Sequence, residues 1–77
     1  MGGKYFMKVW KNYKEVDNTI KQLLYWHKSG KEVPSLIIQA VKSILKKATK
    51  GQVLYFYNEL LRKCPNLLNY FQDIEFH

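Results

Sequence analysis

Cysteine is nearly absent from this chain of 77 residues. Cys64 stands alone, so no internal disulfide is possible. Small secreted domains of this size generally rely on several disulfides, so a reducing cytoplasm is the expected setting. Long apolar runs are lacking too. None approaches the ~20 residues that cross a bilayer as a helix, so no membrane-spanning segment is expected. Met1-Gly2-Gly3-Lys4 is not followed by an apolar run ending in small residues, and no signal peptide is expected. The chain has two prolines and four glycines, too few for a loop-dominated fold or a linker between domains, and one arginine, Arg62. Strictly alternating apolar and polar segments are missing, which argues against a sheet.

The chemistry of catalysis is equally thin. The two histidines, His27 and His77, are far apart, and Glu15 and Asp17 point in different directions on a helix. No metal-ligand spacing, phosphate-cradling glycine loop or nucleophile motif is present. No catalytic residue, metal or cofactor is expected. His27 falls on an apolar stripe and reads as a histidine at the core edge. Cys64 reads as a small buried hydrophobe rather than a reactive thiol.

What is abundant is lysine and apolar surface. Hydrophobic residues make up 47% and aromatics 16%, enough to build one small core. The formal net charge is +7, and its distribution is uneven. Residues 1–50 hold eleven lysines against Glu15, Asp17 and Glu32, whereas residues 51–77 hold Arg62 and Lys63 against Glu59, Asp73 and Glu75. A positive field speeds encounters with nucleic acid, anionic lipid or acidic protein without choosing among them. It also serves simple solubility.

Periodicity predicts a helix over residues 5–28, from the stripe Phe6, Val9, Tyr13, Val16, Ile20, Leu23, Leu24 and His27. Asp17-Asn18-Thr19 is a weak point, and Thr19 with Gln22 could form a capping box, so one helix or two bent near Asn18 are both open. Ser29-Gly30 ends it, and Pro34 falls in the first turn of a second helix over 34–49. Ile37, Ala40, Val41, Ile44, Leu45 and Ala48 form the apolar side of that helix. Its polar side carries Gln39, Lys42, Ser43, Lys46 and Lys50. Lys50-Gly51 reads as a turn before a third helix over 52–64, with Val53, Phe56, Tyr57, Leu60, Leu61 and Cys64 inward. Pro65 opens a short fourth segment over 65–73. Short connections favour antiparallel neighbours, hence an all-α, compact three- to four-helix bundle forming a single domain.

Two basic surfaces are candidates for binding. If residues 5–28 form one helix, Lys14, Lys21 and Lys28, recurring every seven residues, line up, with Trp10 and Tyr25 close to the same line. Trp26 projects nearly opposite the stripe, with Lys8 and Glu15, and should be at least partly exposed. On the second helix Lys42, Lys46 and Lys50 make a ridge at four-residue spacing, with Lys47 alongside. Lysine contacts phosphate as a point charge and supplies affinity without base readout. With a single arginine, base-specific recognition is disfavoured. A helix–turn–helix over 34–61 would present Tyr55, Asn58, Glu59 and Arg62 outward, an uncommitted face for a recognition helix.

The run Gly30-Lys31-Glu32-Val33-Pro34-Ser35-Leu36-Ile37, set between two amphipathic helices, resembles the second-to-third helix junction of immunity proteins for pediocin-like bacteriocins. That resemblance implies a cytosolic four-helix bundle that protects a producer cell through protein contact. Separately, Tyr5-Phe6-Met7-Lys8-Val9 and the pattern Asn58, Leu60, Lys63, Pro65, Phe71 look like the two ends of Hha-type nucleoid modulators. That resemblance implies a small helical protein binding a DNA-packaging partner, although the family's Asp-His-Arg stretch has no counterpart here. The expectation is a basic, non-enzymatic regulatory module that binds an acidic protein or a nucleic-acid backbone. An immunity or inhibitor protein is the alternative, and a homodimer is possible in either case.

Overall fold

The computed structural model describes residues 9–72. The expected helical start at residues 5–8, Lys8 within it, and Asp73, Ile74 and His77 lie outside the described residues. Three α-helices, α1 (Tyr13–Lys28), α2 (Ser35–Lys47) and α3 (Lys50–Lys63), are followed by a 3₁₀ helix, Pro65–Phe71. No strand occurs among the described residues. The protein is an all-α bundle.

The first helix does not extend back through residues 9–12. Asn12 caps it, with extended backbone, its side-chain oxygen accepting the Glu15 N–H at 3.0 Å. The Glu15 carboxylate in turn accepts the Lys11 N–H at 2.6 Å. This competes successfully with continued helix because it satisfies orphan donors at the helix start. It also lets the preceding chain fold Trp10 inward, where the residue is only 4% exposed. From there α1 runs unbroken through Asn18, and Thr19 caps nothing. The Thr19 hydroxyl donates to the Glu15 carbonyl one turn back and accepts the Trp10 indole N–H at 2.9 Å. Gly30, at φ +74°, closes the helix: its N–H donates to the His27 carbonyl and the Lys31 N–H to that of Trp26. This is the paired bonding of a Schellman ending.

Helix α2 starts with the Ile37 and Ile38 N–H groups on the Pro34 carbonyl, and buries Ile37, Ile38, Val41, Ile44 and Leu45. The turn to α3 is Ala48-Thr49 rather than Lys50-Gly51. Thr49 and Gln52 form a reciprocal capping box, which starts α3 at Lys50 and draws Gly51 into its first turn.

Helix α3 is the central element, packed on α1 and on the 3₁₀ helix. Phe56, fully buried, has the Trp10 ring at 5.4 Å on one side and the Phe71 ring at 5.4 Å, edge-on, on the other. Aromatic pairs in these geometries contribute about 0.5–1.5 kcal/mol beyond their burial. The Tyr57 hydroxyl donates to the Phe71 carbonyl at 2.8 Å and ties the 3₁₀ helix to α3. Gln52 does the same at the other end: its side-chain amide donates to the Trp10 carbonyl, 3.2 Å away and 42 residues earlier. Among the described residues no buried side-chain nitrogen or oxygen lacks a hydrogen-bond partner, as a well-determined small core requires.

Candidate binding surface

Helix α1 buries Val16, Thr19, Ile20 and Leu23 and turns its other face to solvent. Lys14, Lys21, Tyr25 and Lys28 are all exposed. At 100° per residue they fall within an arc of about 60°, and Lys14 to Lys28 spans roughly 21 Å of helix. Tyr25 therefore lies within the lysine line, between Lys21 and Lys28. It is 67% exposed, and its ring meets the Trp26 indole edge-on with centroids 5.9 Å apart. Trp26 is half-buried and packs against the core edge.

The electrostatics of this face follow from where the carboxylates go. Glu15 accepts the Lys11 N–H, Asp17 accepts the Tyr55 hydroxyl at 2.8 Å, and Glu59 pairs with Arg62 and Lys63. Glu32 sits beyond the end of α1. Among the described residues, Lys14, Lys21 and Lys28 have no acidic partner. Asp17 lies one turn from both Lys14 and Lys21 on the edge of this ridge and offsets part of its charge, but its carboxylate is turned to Tyr55. Three lysines against one acid leave the ridge net positive over about one Debye length, ~8 Å at physiological salt.

The other expected site residues are placed differently. Trp10 is a core residue, not part of the surface, because its indole is more stable against Phe56 with its N–H on Thr19 than in water. The ridge expected from Lys42, Lys46 and Lys50 is broken. Lys42 (half-buried) and Lys46 (exposed) lie on α2, but Lys50 is the first residue of α3, beyond the Ala48-Thr49 turn. His27 is exposed rather than at the core edge, whereas Cys64 is buried.

Helix α3 turns Val53, Phe56, Leu60 and Cys64 inward as expected, but two residues at the edges of that face are placed differently. Tyr55, placed outward by periodicity, packs its ring against Tyr13 at 4.9 Å and bonds Asp17. Donation to the Asp17 carboxylate raises the Tyr55 pKa above its usual value, with desolvation and the Asp17 charge adding in the same direction. Leu61, expected inward, is 58% exposed, and Leu54, two turns earlier on the same face, is 53% exposed. These leucines were missed because α3 has packing partners on two sides, which a single-stripe pattern does not foresee. A groove of about 440 Å³ also opens near the start of α2, lined by Glu32, Val33, Pro34, Ser35, Ile38 and Tyr70.

Among the described residues no three His, Cys, Asp or Glu side chains are grouped to hold a metal ion, and no helix is long and apolar enough to cross a membrane. No family model, curated protein or solved structure matches the chain.

Proposed function

We propose that this protein is a non-enzymatic regulatory binding module of the cytoplasm, and that the exposed face of α1 engages a polyanion: a nucleic-acid backbone or an acidic protein surface. The observation that carries the proposal is the exposed line of Lys14, Lys21 and Lys28, none in an ion pair among the described residues, with the exposed Tyr25 inside it. Replacing Lys14, Lys21 and Lys28 together by Gln tests it. The slope of log affinity against log salt should flatten by about 2.7 on duplex DNA or about 2.1 on a single strand. The fold should persist, since exposed substitutions usually cost under ~0.5 kcal/mol. Unchanged binding in the triple variant would refute the assignment to α1.

A second reading rests on Leu54 and Leu61. Two exposed leucines on one face of α3 suit apolar docking, either to a protein target, as an immunity or inhibitor protein would use, or to a second copy of the chain. Association through that face would be insensitive to salt and abolished by Leu54→Lys with Leu61→Lys.

A further inference from the structure

Building on the polyanion reading, we infer that the ligand of the α1 face is single-stranded nucleic acid, with one unpaired base stacking on Tyr25 and neighbouring phosphates on Lys21 and Lys28. The geometry is particular to this stretch of the helix. Lys21 and Lys28 lie one turn before and one turn after Tyr25 on the same line, so a cation flanks the ring on each side along the axis. The Tyr25 ring is exposed, yet it is not free to sweep the surface. The Trp26 indole braces it edge-on at 5.9 Å, and that indole is itself packed against the core. A braced ring loses little entropy when a base stacks on it.

The same features weigh against other polyanions. A duplex keeps its bases paired and stacked, so it could use the lysines but not the ring. An acidic protein interface would favour arginine over lysine, because lysine is depleted from protein interfaces; this ridge contains lysine alone. An anionic membrane would need an apolar face to insert beside the charges. The apolar face of α1, Val16, Ile20 and Leu23, is fully buried in the core. Single strands without strong sequence preference are bound by a combination of backbone-tracking cations and base-stacking aromatics, and the α1 face carries both.

The test is fluorescence anisotropy with a labelled oligodeoxythymidylate of about twelve nucleotides, the corresponding duplex, polyglutamate, and phosphatidylserine vesicles. The single strand should bind most tightly. Tyr25→Ala should weaken it by roughly 5- to 150-fold, the factor expected for one lost stacking contact, with duplex affinity unchanged. Tyr25→Phe, which keeps the ring, should bind like the parent. Circular dichroism of Tyr25→Ala should match the parent, since the side chain is largely in solvent. Equal binding of the single strand by Tyr25→Ala, or a duplex bound as tightly as the strand, would overturn the stacking inference and leave the charged face standing. Preference for polyglutamate or vesicles would overturn it in favour of those ligands. No binding to any of the four would refute the polyanion reading itself.

Discussion

Replacing Gln52 by Ala removes three interactions at once, and their separate magnitudes can be worked out. The amide that donates to the Trp10 carbonyl is lost, and that carbonyl belongs to a buried residue. Leaving a buried acceptor unsatisfied costs about 1–3 kcal/mol. The capping arm to the Thr49 N–H is lost as well, but Thr49 is exposed and water replaces it, so its share is a few tenths of a kcal/mol. The buried side-chain stem adds a small transfer loss, offset by alanine's better helix propensity. The expected total is about 1.5–3 kcal/mol, which lowers Tm by roughly 6–24 °C in a domain of this size. Gln52→Glu separates the terms: it preserves the acceptor for Thr49 but presents a carboxylate oxygen to the Trp10 carbonyl, and should be at least as destabilising as Ala. Urea unfolding followed by circular dichroism measures both. A cost below about 0.5 kcal/mol for Gln52→Ala would mean the link between residue 10 and α3 contributes nothing.

The two described glycines should respond oppositely to alanine. Gly30→Ala forces a Cβ into the left-handed region at φ +74° and should cost about 1 kcal/mol. Gly51→Ala lies in the first turn of α3, where its Cβ meets only the Tyr13 hydroxyl at 2.9 Å; that half-exposed ring can swing aside, so chemical denaturation should show a gain of about 0.4–1 kcal/mol. Tyr55 should titrate above the ordinary tyrosine range in an ultraviolet pH titration, and Tyr55→Phe should remove that component. Because the folded pKa is raised, its stabilising effect is fully present below the unfolded value near 10 and is lost as pH rises through the folded pKa. Alkaline unfolding that is identical in parent and Tyr55→Phe would contradict the Asp17 bond.

How much of this was legible beforehand depended on what periodicity can register. The inner stripes of α1 and α2 could be read, since Val16, Ile20, Leu23 and Ile37, Val41, Ile44, Leu45 recur at helical spacing and all are buried. The start of α1 was misread because Phe6, Val9 and Tyr13 continue the same spacing across Asn12, although Asn12 with Glu15 was a visible capping signal. Thr49 with Gln52 was the same kind of signal, masked by the turn-like Lys50-Gly51. Trp10 could not be placed from sequence at all, since its burial depends on Phe56 and Gln52, more than 40 residues away. Likewise Tyr55 faces outward on a lone helix and is claimed only once α1 brings Asp17 and Tyr13 to it. The lysine line could be read from its seven-residue repeat on the condition of a continuous helix, and α1 meets that condition by running unbroken through Asn18.

The central claim concerns position as well as charge, so the most direct measurement compares two variants of equal net charge. Lys14→Gln with Lys21→Gln and Lys28→Gln alters α1, whereas Lys46→Gln with Lys47→Gln and Lys50→Gln alters exposed lysines of α2 and α3. Single-strand binding is then followed across a salt series. The α1 variant should lose about 2 from the salt slope and bind weakly throughout, while the other variant retains nearly the parental slope. Equal losses in both would show that only overall charge matters and would contradict a site on α1.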